Sequence, residues 1–261
     1  MNIIVCLKQV PGTTAVKIDP QTNTLVRQGI ESITNPFDTY AIEEAVRIKE
    51  KHGGKVTVIT MGPPQAETAL REAISRGADE AVLLSDRAFA GADTWATART
   101  LAQAVLKLGP YDLIICGRQT IDGDTGQVGP EMAEMLGIPF IAYVSQVEEI
   151  KDNKLRVRRM IEEGHEVIEA DLPAAITVSK EINLPRLPSL RGISRSRSAK
   201  IPAWGAAELG VDPATVGLSG SSTQVIKIFF PQRVSQAEML TGSPESQAEK
   251  LMDKLKGASL I

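Results

Sequence analysis

Short apolar runs that alternate with helical segments dominate the first half of the sequence. The runs are IIVCL (3–7), KVTVIT (55–60), EAVLL (80–84) and LIIC (113–116), which are rich in β-branched residues and too short for buried helices. Segments of helical period lie between them. This alternation predicts an α/β fold with a doubly wound parallel sheet, whose ligand site lies at the carboxyl ends of the strands.

Length and composition narrow the class of protein. The 261 residues are 43% hydrophobic and carry a formal net charge of −3, so the chain can bury a full core and is not built to coat nucleic acid. No apolar run approaches the ~18 residues that a membrane span needs. Asn2 leads directly into the first run without a signal peptide, so we expect a cytoplasmic bacterial or archaeal protein.

The cysteines and histidines do not suggest a metal centre. Cys6 and Cys116 each lie inside an apolar run, so we expect two buried thiols. His52 and His165 lie in different segments without companions at ligand spacing. We therefore predict no metal site.

A glycine-rich turn, residues 117–130, follows the strand-like run LIIC. It contains four glycines: Gly117, Gly123, Gly126 and Gly129. Glycines let a backbone approach a ligand closely, and the helix start near Gln127 and Val128 would direct free N–H groups at an anion. The spacing matches neither the dinucleotide fingerprint nor a P-loop. The residues alone are therefore compatible with a nucleotide site and with a plain surface turn.

Two aspartates in this turn need their own explanation, because carboxylates would repel a pyrophosphate. Asp122 and Asp124 are expected to hold the turn by accepting hydrogen bonds from backbone N–H groups, or to accept from ribose hydroxyls. A calcium loop is excluded, because its required glycine and final glutamate are absent, and a magnesium site is the less favoured interpretation.

The first helix has the clearest start signal in the chain. Asn35 can cap it, Pro36 suits the first helical position and Asp38 lies in the first turn. Phe37 and Ala41 would begin its core face, and Gly53 would end it. On residues alone, Asn35 and Asp38 are interpreted as caps.

After Ile141 the pattern changes to strands joined by short turns. The segments YVSQVEEI, KLRVRRMI, HEVIEA and AAITVS predict antiparallel strands that extend the sheet. Near the C-terminus, TQVIKIFF is strand-like and SPESQAEKLMDKLKG predicts a helix capped by Ser243. We expect an α/β domain over residues 1–230 and an arm over residues 231–261 that packs on another subunit. The alternative for the arm is a helix that folds back on its own sheet.

Residues 183–200, here called the leucine loop, have no helical or strand period. Leu184, Leu187 and Leu190 recur every three residues among prolines, which predicts a polyproline II ridge. One interpretation is a docking surface for an acidic protein partner, in which basic side chains surround the leucines: Arg186, Arg191, Arg195 and Arg197. The other is a solvated loop with one leucine in the core.

Five motifs in order give the chain a family resemblance. They are IIVCLKQVP, NPFDTYAIEEAVRIKE, the MGP turn, GRQTIDGDTGQVGP and NLPRLPSLRGI. Together the motifs resemble the beta subunit of electron transfer flavoprotein over essentially the whole chain. The resemblance implies a Rossmann-like, adenine-nucleotide-binding fold and a heterodimer with an alpha subunit.

The resemblance also implies which residues bind. The nucleotide would contact Cys6, Asn35, Pro36, Phe37, Asp38, Met61, Gly62, Gly117, Gln119, Thr120, Ile121, Asp122, Gly123, Asp124, Thr125, Gly126, Gln127, Val128, Gly129 and Pro130. A partner dehydrogenase would dock on Leu184, Leu187, Leu190, Arg191, Ile193 and Arg195. No side chain need act as a general acid or base, so we predict no catalytic residue.

The nucleotide divides the family into two types. Electron-shuttling members carry structural AMP in the beta subunit, whereas electron-bifurcating members carry a second FAD there. The turn IDGDTGQVGP is similar to the bifurcating pattern, because Gly123, Thr125 and Gly126 are small and leave space for a flavin. Arg118 would lie near the flavin and could tune its potential.

The bifurcating type implies three electron partners. NADH is the donor, ferredoxin or flavodoxin is one acceptor, and an acyl-CoA dehydrogenase-like flavoenzyme is the other, reached through the FAD of the alpha subunit. The main alternative is an electron shuttle holding AMP. A universal-stress-type ATP-binding module leaves the leucine loop unexplained, and an ATP-pyrophosphatase would need a Ser-Gly-Gly loop where Lys8 to Pro11 stand.

Overall fold

The computed structural model describes residues 1–12, 17–18, 25–26, 31–226 and 237–261. Its strands, in chain order, are β1 Asn2–Cys6, β2 Gln9–Pro11, β3 Lys17–Ile18, β4 Leu25–Val26, β5 Ser32–Thr34, β6 Lys55–Met61, β7 Glu80–Leu84, β8 Leu113–Gly117, β9 Phe140–Lys151, β10 Lys154–Ile161, β11 Gly164–Asp171, β12 Ala174–Val178 and β13 Ala203–Trp204. Its helices are α1 Pro36–His52, α2 Glu67–Arg76, α3 Thr94–Leu108, α4 Val128–Leu136, α5 Leu190–Ser198, α6 Ala206–Leu209 and α7 Pro244–Gly257.

The main sheet confirms the predicted α/β architecture. Its strand order is β11-β10-β9-β12-β8-β1-β6-β7-β13. Neighbouring strands pair in parallel over the part of the sheet that comprises β9, β12, β8, β1, β6, β7 and β13. Beyond β9, the strands β10 and β11 continue the sheet as an antiparallel extension. The parallel strands are buried on both faces, which is why they read as continuous apolar runs rather than as alternating patterns.

Helices cover both faces of the parallel strands. Ile3 and Val5 point into one core cluster with α1 and α2, whereas Ile4 and Cys6 point into the other with α3 and α4. Successive side chains of a strand face opposite sides, so one short strand contributes to both cores. The helices predicted between the strand-like runs and after the glycine-rich turn are confirmed as α1, α2, α3 and α4. Gly53 ends α1 as expected, and Gly137 ends α4.

The prediction that AAITVS is antiparallel is wrong. β12 pairs in parallel with β8 on one side and with β9 on the other. All five of its residues are buried, as is typical of an interior parallel strand and not of an edge hairpin. The antiparallel part is therefore confined to β9, β10 and β11.

Two small ladders lie before α1. The segments VKID and LVRQG predict a small hairpin, and β3 and β4 within them pair antiparallel. Residues 8–12, KQVPG, predict the turn after β1, but Gln9–Pro11 forms β2 and pairs with β5. The remaining residues between 13 and 30 lie outside the described part of the chain.

The leucine loop is only partly irregular, so the prediction of a polyproline ridge through Leu190 is wrong. Residues 190–198 form α5, which Ser189 caps by accepting a hydrogen bond from the Gly192 N–H at 2.9 Å. Gly192 lies against the backbone of Ser75 in α2, where an added Cβ would overlap the Ser75 carbonyl. The capping serine and this close helix–helix approach determine the helix, although the segment lacks an apolar period.

The chain divides into two compact units, Met1–Ile226 and Lys227–Ile261. The second contains α7, which starts as predicted with Ser243 at the cap and Pro244 in the first turn. The predicted strand TQVIKIFF is absent over residues 223–226, and its remainder, 227–230, lies outside the described residues. Within the described residues, no helix is long and apolar enough to cross a bilayer.

Candidate functional site

The candidate site lies at the carboxyl edge of β1, β6 and β8. These three strands are neighbours in the sheet, so Cys6, Met61 and Gly117 end side by side. α1 begins at this edge, because the residues before and inside its first turn bond to the ends of β1 and β8. The fold thus brings together segments that are about 110 residues apart in sequence, as the parallel topology requires.

Asn35 connects the start of α1 to the glycine-rich turn. It occupies the cap position of the helix, but its side chain makes no capping bond, so that part of the prediction is wrong. Instead, its amide donates to the Gln119 carbonyl at 2.9 Å and accepts from the Ile121 N–H at 3.3 Å. Asn35 is fully buried, and the turn after β8 therefore has a fixed position relative to α1.

Asp38, in the first turn of α1, is buried, with only 4% of its surface exposed. Its carboxylate accepts the Lys8 N–H at 2.7 Å. Burial raises the pKa of Asp38 to about 7, although hydrogen bonds from Lys8, Asn35 and the Gly117 N–H favour the ionised form. The carboxyl group links the ends of β1 and β8 to the first turn of α1.

Gly117 allows this close approach. An added Cβ would lie 2.7 Å from the Phe37 carbonyl carbon and would overlap Asp38 Oδ1. Glycine is required here because backbone and carboxylate fill the space in which any other side chain would begin.

Lys8 and the two aspartates hold the turn itself. Lys8 Nζ donates to both carboxylate oxygens of Asp122, at 2.7 and 2.9 Å. Burial opposes ionisation of Asp122, but the hydrogen bonds from Lys8 outweigh it and its pKa lies below the ordinary value. Asp124 has a left-handed backbone, with φ of 53°, and accepts from the Gln119 side chain. Both aspartates therefore hold the turn, but mainly by accepting from the Lys8 ammonium and the Gln119 side-chain amide, and not from backbone N–H groups as predicted.

Arg118 lies between two aromatic rings at the end of β8. Its guanidinium carbon is 5.7 Å from the centroid of Phe37 and 5.3 Å from that of Tyr143. Its Nε donates to Gln119 Oε1 at 2.6 Å. Phe37 is only half-buried, so its assignment to the core face of α1 is wrong, and Asp38 is buried in its place.

Sequence reasoning missed Tyr143. It has a left-handed backbone, with φ of 59°, inside β9, and its N–H donates to Thr177 Oγ1 at 3.2 Å. Nothing in the run YVSQVEEI signals this conformation, which depends on a neighbouring strand. Lys8 was identifiable, because it is a basic residue directly after β1 at the ligand edge.

A second missed group lies at the start of α4. Thr94 Oγ1 donates to Glu131 Oε1 at 3.0 Å, and Glu131 Oε2 is buried without a partner among the described residues. Burial raises the pKa of Glu131. This oxygen is an acceptor that a hydroxyl or amino group of a ligand would satisfy. Gln127 precedes the helix, and no side chain caps its first turn.

The glycines of the turn have different surroundings. Among the described residues, an added Cβ at Gly123 would meet only Thr120 Oγ1, at 3.7 Å, so this part of the chain leaves open space beside it. Gly126 has a φ of 64°, which only glycine adopts easily. Gly129 is buried, and an added Cβ would lie 2.9 Å from Thr177 Cγ2, so this glycine serves packing.

The predicted contact residues therefore differ in accessibility. The exposed ones are Pro36, Ile121, Asp122, Gly123, Asp124, Thr125, Gly126 and Gln127. The half-buried ones are Phe37, Met61, Gly62, Gly117, Gln119, Thr120, Val128 and Pro130. The buried ones are Cys6, Asn35, Asp38 and Gly129. A ligand that lies along the exposed set would rest on a support that is already hydrogen bonded.

The leucine loop forms a separate surface on α1 and α2. Leu184, Leu187 and Leu190 are 82, 84 and 88% exposed, so the interpretation with one leucine in the core is wrong. Arg186 pairs with Glu43 at 2.8 Å and Glu50 at 2.6 Å. These contacts hold the irregular part of the loop while the leucines face outward.

The basic residues of the loop have two roles. Arg195 donates to the Ile74 and Ala78 carbonyls, at 2.8 and 2.6 Å, and so anchors α5 on α2. Arg191 and Arg197 are exposed, whereas Ile193 is half-buried. Arg186 and Arg195 therefore fix the loop rather than surround its leucines.

Comparison with known proteins identifies the family. Residues 22–209 match the family model described as the electron transfer flavoprotein domain. The chain is 51% identical over 262 residues to the electron transfer flavoprotein subunit beta of Thermoanaerobacterium thermosaccharolyticum, covering 100% of both chains. It is 48% identical over 263 residues to the caffeyl-CoA reductase-Etf complex subunit CarD of Acetobacterium woodii, again covering 100% of both.

A further relative is also matched over nearly its whole length. Protein FixA of Azotobacter vinelandii is 43% identical over 265 residues, which cover 98% of this chain and 94% of FixA. The family match, the full-length relatives and the strand-edge geometry agree. The chain therefore belongs to the electron transfer flavoprotein family, as a beta subunit.

Proposed function

We propose that this beta subunit, together with its alpha subunit, binds FAD at the carboxyl edge of β1, β6 and β8 and participates in electron bifurcation in the cytoplasm. NADH would be the hydride donor. Ferredoxin or flavodoxin would receive one electron, and an acyl-CoA dehydrogenase-like flavoenzyme would receive the other through the FAD of the alpha subunit. When bound, the beta-subunit FAD would supply the two-electron acceptor at which the electrons separate.

The open space beside Gly123 carries this proposal. Three residues beneath the turn, Asn35, Asp38 and Lys8, already make hydrogen bonds within the chain. The turn from Ile121 to Gln127 is exposed, and among the described residues no bulky side chain lies over Gly123. A larger nucleotide than AMP needs such space. The unpartnered Glu131 Oε2 adds an acceptor for a nucleotide hydroxyl or amino group.

The chain's own residues would bind and orient the nucleotide. Backbone N–H groups at the uncapped start of α4 would receive a phosphate, since a helix N-terminus favours negative charge. Lys8 neutralises Asp122 and thereby reduces the repulsion between that carboxylate and a phosphate. Arg118, held between Phe37 and Tyr143, would place a positive charge beside the bound group.

The names of relatives support the redox assignment. CarD is named as a subunit of a caffeyl-CoA reductase-Etf complex, which fits a CoA-ester-reducing flavoenzyme as partner for this chain. Beta subunits also imply an alpha subunit, and the family implies association with a flavin or another nucleotide. The leucine loop would be the surface that meets the dehydrogenase, because its three outward leucines have no partner role within the fold.

A nucleotide count on the purified heterodimer tests the proposal. Acid extraction followed by chromatography should release two FAD and no AMP per heterodimer. One FAD with one AMP would overturn bifurcation and leave an electron shuttle.

A matched pair of variants tests the position of the FAD. Gly123→Leu should lower beta-subunit FAD affinity by about tenfold or more, because the new side chain fills the open space. Gly257→Leu is the control, since an added Cβ there meets none of the described residues within 4 Å and the position lies in α7, outside the proposed site. Equal FAD content in both variants would place the nucleotide elsewhere.

A further inference from the structure

Cys6 and Cys116 form a thiol pair to which the proposed electron-transfer role assigns no thiol chemistry. They are register partners on the adjacent parallel strands β1 and β8. Register partners on parallel strands point to the same face, and both cysteines belong to the core cluster that α3 and α4 cover. The two side chains therefore lie next to each other in the same layer.

Strand geometry sets their separation. Neighbouring strands lie about 4.8 Å apart. Disulfides join cysteines whose Cα atoms are roughly 4.4–6.8 Å apart. The strand spacing falls within this Cα range and the two thiols contact each other, so a bond between Cys6 and Cys116 would not require the sheet to change its register.

The thiols are buried at the edge of the proposed nucleotide site. Both cysteines are 8% exposed and stand at the carboxyl ends of their strands, next to the proposed nucleotide site. Met132 Sδ lies 4.0 Å from Cys6 Sγ, so α4 places a third soft sulfur against the pair. A hydrogen bond with the Cys116 thiol, followed by burial, raises the pKa of Cys6, so this contact between the two thiols involves the protonated pair.

We propose that Cys6 and Cys116 are a dithiol modification site that hydroperoxides convert to an intramolecular disulfide. Peroxide oxidises one thiol to a sulfenic acid, with loss of one water. The second thiol then attacks that sulfur, a second water leaves, and the S–S bond forms. In total, two thiols and one hydrogen peroxide give one disulfide and two waters, and a dithiol reductant reverses the change.

Peptide mapping of the purified heterodimer tests this proposal. After hydrogen peroxide treatment and tryptic digestion without reductant, residues 1–8 and 108–118 should appear as one linked peptide that is two hydrogens lighter than the sum of its parts. Dithiothreitol should separate them. Separate sulfinic or sulfonic acids on either cysteine would overturn the proposal, as would free thiols after exposed methionines have become sulfoxides.

Single variants supply the control. Cys6→Ala and Cys116→Ala should each abolish the linked peptide, while thermal melting verifies that each variant is folded. A peroxide-dependent link from either cysteine to the alpha subunit in the wild-type heterodimer would also overturn the proposal, because Cys6 and Cys116 would then not be each other's partners.

Discussion

At the scale of single residues, Gly117 brings β8 closest to the start of α1. An added Cβ would lie 2.7 Å from the Phe37 carbonyl carbon and overlap the Asp38 carboxylate, which is held by the Lys8 N–H. We therefore expect Gly117→Ala to lower the free energy of unfolding by about 1–3 kcal/mol, as overpacking does. Urea denaturation measures this difference.

Gly123→Ala is the matched control for this glycine. Its nearest neighbour would be Thr120 Oγ1 at 3.7 Å, an ordinary contact, so its stability should change by less than about 0.5 kcal/mol. If both variants lost the same stability, the approach of α1 to β8 would not be the reason that position 117 is glycine.

Asp38 makes stability depend on pH. Burial raises its folded pKa from 3.8 to about 7. Between these values the unfolded chain releases the proton that the folded chain keeps, so the free energy of unfolding falls as pH rises, by up to about 1.4 kcal/mol per pH unit. Asp38→Asn keeps an acceptor for the Lys8 N–H and removes the titration. The variant should lose less stability than the wild type between about pH 4 and 7.

Urea denaturation at several pH values across this range measures the effect. Asp122→Asn is the control. The pKa of Asp122 lies below the ordinary value of an aspartate, so Asp122 loses its proton at a lower pH than Asp38 does. Parallel stability profiles for wild type and Asp38→Asn would show that Asp38 is ionised in the folded state throughout.

At the scale of secondary-structure elements, the leucine loop combines a fixed base with an exposed apolar ridge. Leu190 begins α5 and is 88% exposed, whereas the pairs of Arg186 with Glu43 and Glu50 hold the loop to α1. Leu190→Ala should therefore leave the unfolding midpoint unchanged. It should weaken electron transfer to the partner dehydrogenase by about tenfold or more and leave NADH-dependent flavin reduction unchanged.

Steady-state assays with and without the dehydrogenase separate these effects. Leu106→Ala is a suitable control, because it removes another exposed leucine, 56% exposed, from α3. Loss of flavin reduction and docking together in Leu190→Ala would mean that the loop supports the fold.

At the scale of the whole molecule, the second unit presents apolar side chains on α7. Leu251 and Met252 are both nearly half exposed within the described chain. We expect this helix to contact the alpha subunit, so the double change Leu251→Ser with Met252→Ser should weaken heterodimer association by about tenfold or more. Sedimentation of the mixed subunits measures the affinity.

Lys256→Ser on the same helix is the control and should leave association unchanged. If the double variant associated normally but melted at a lower temperature, α7 would stabilise its own chain instead of the partner contact.

The sequence by itself determined the order of most elements and where they stop. β-branched runs, amphipathic segments and terminal glycines are local signals, so β1, β6, β7 and β8 and the helices between them were predictable. The same signals located the glycine-rich turn at the carboxyl edge, because strand polarity follows from the alternation of strands and helices. Motifs then identified the family that the full-length comparisons confirm.

Only the tertiary structure decided which residues meet across long sequence separations. An asparagine at position 35 could either cap a helix or form hydrogen bonds with a loop. It does the second, because the folded chain places the turn after β8 within hydrogen-bond distance of its side chain. The parallel direction of β12, the helix α5 against α2 and the pairing of Cys6 with Cys116 depend likewise on contacts with distant segments. Local propensity carries no information about such contacts, because their free energy arises only when both segments are already in place.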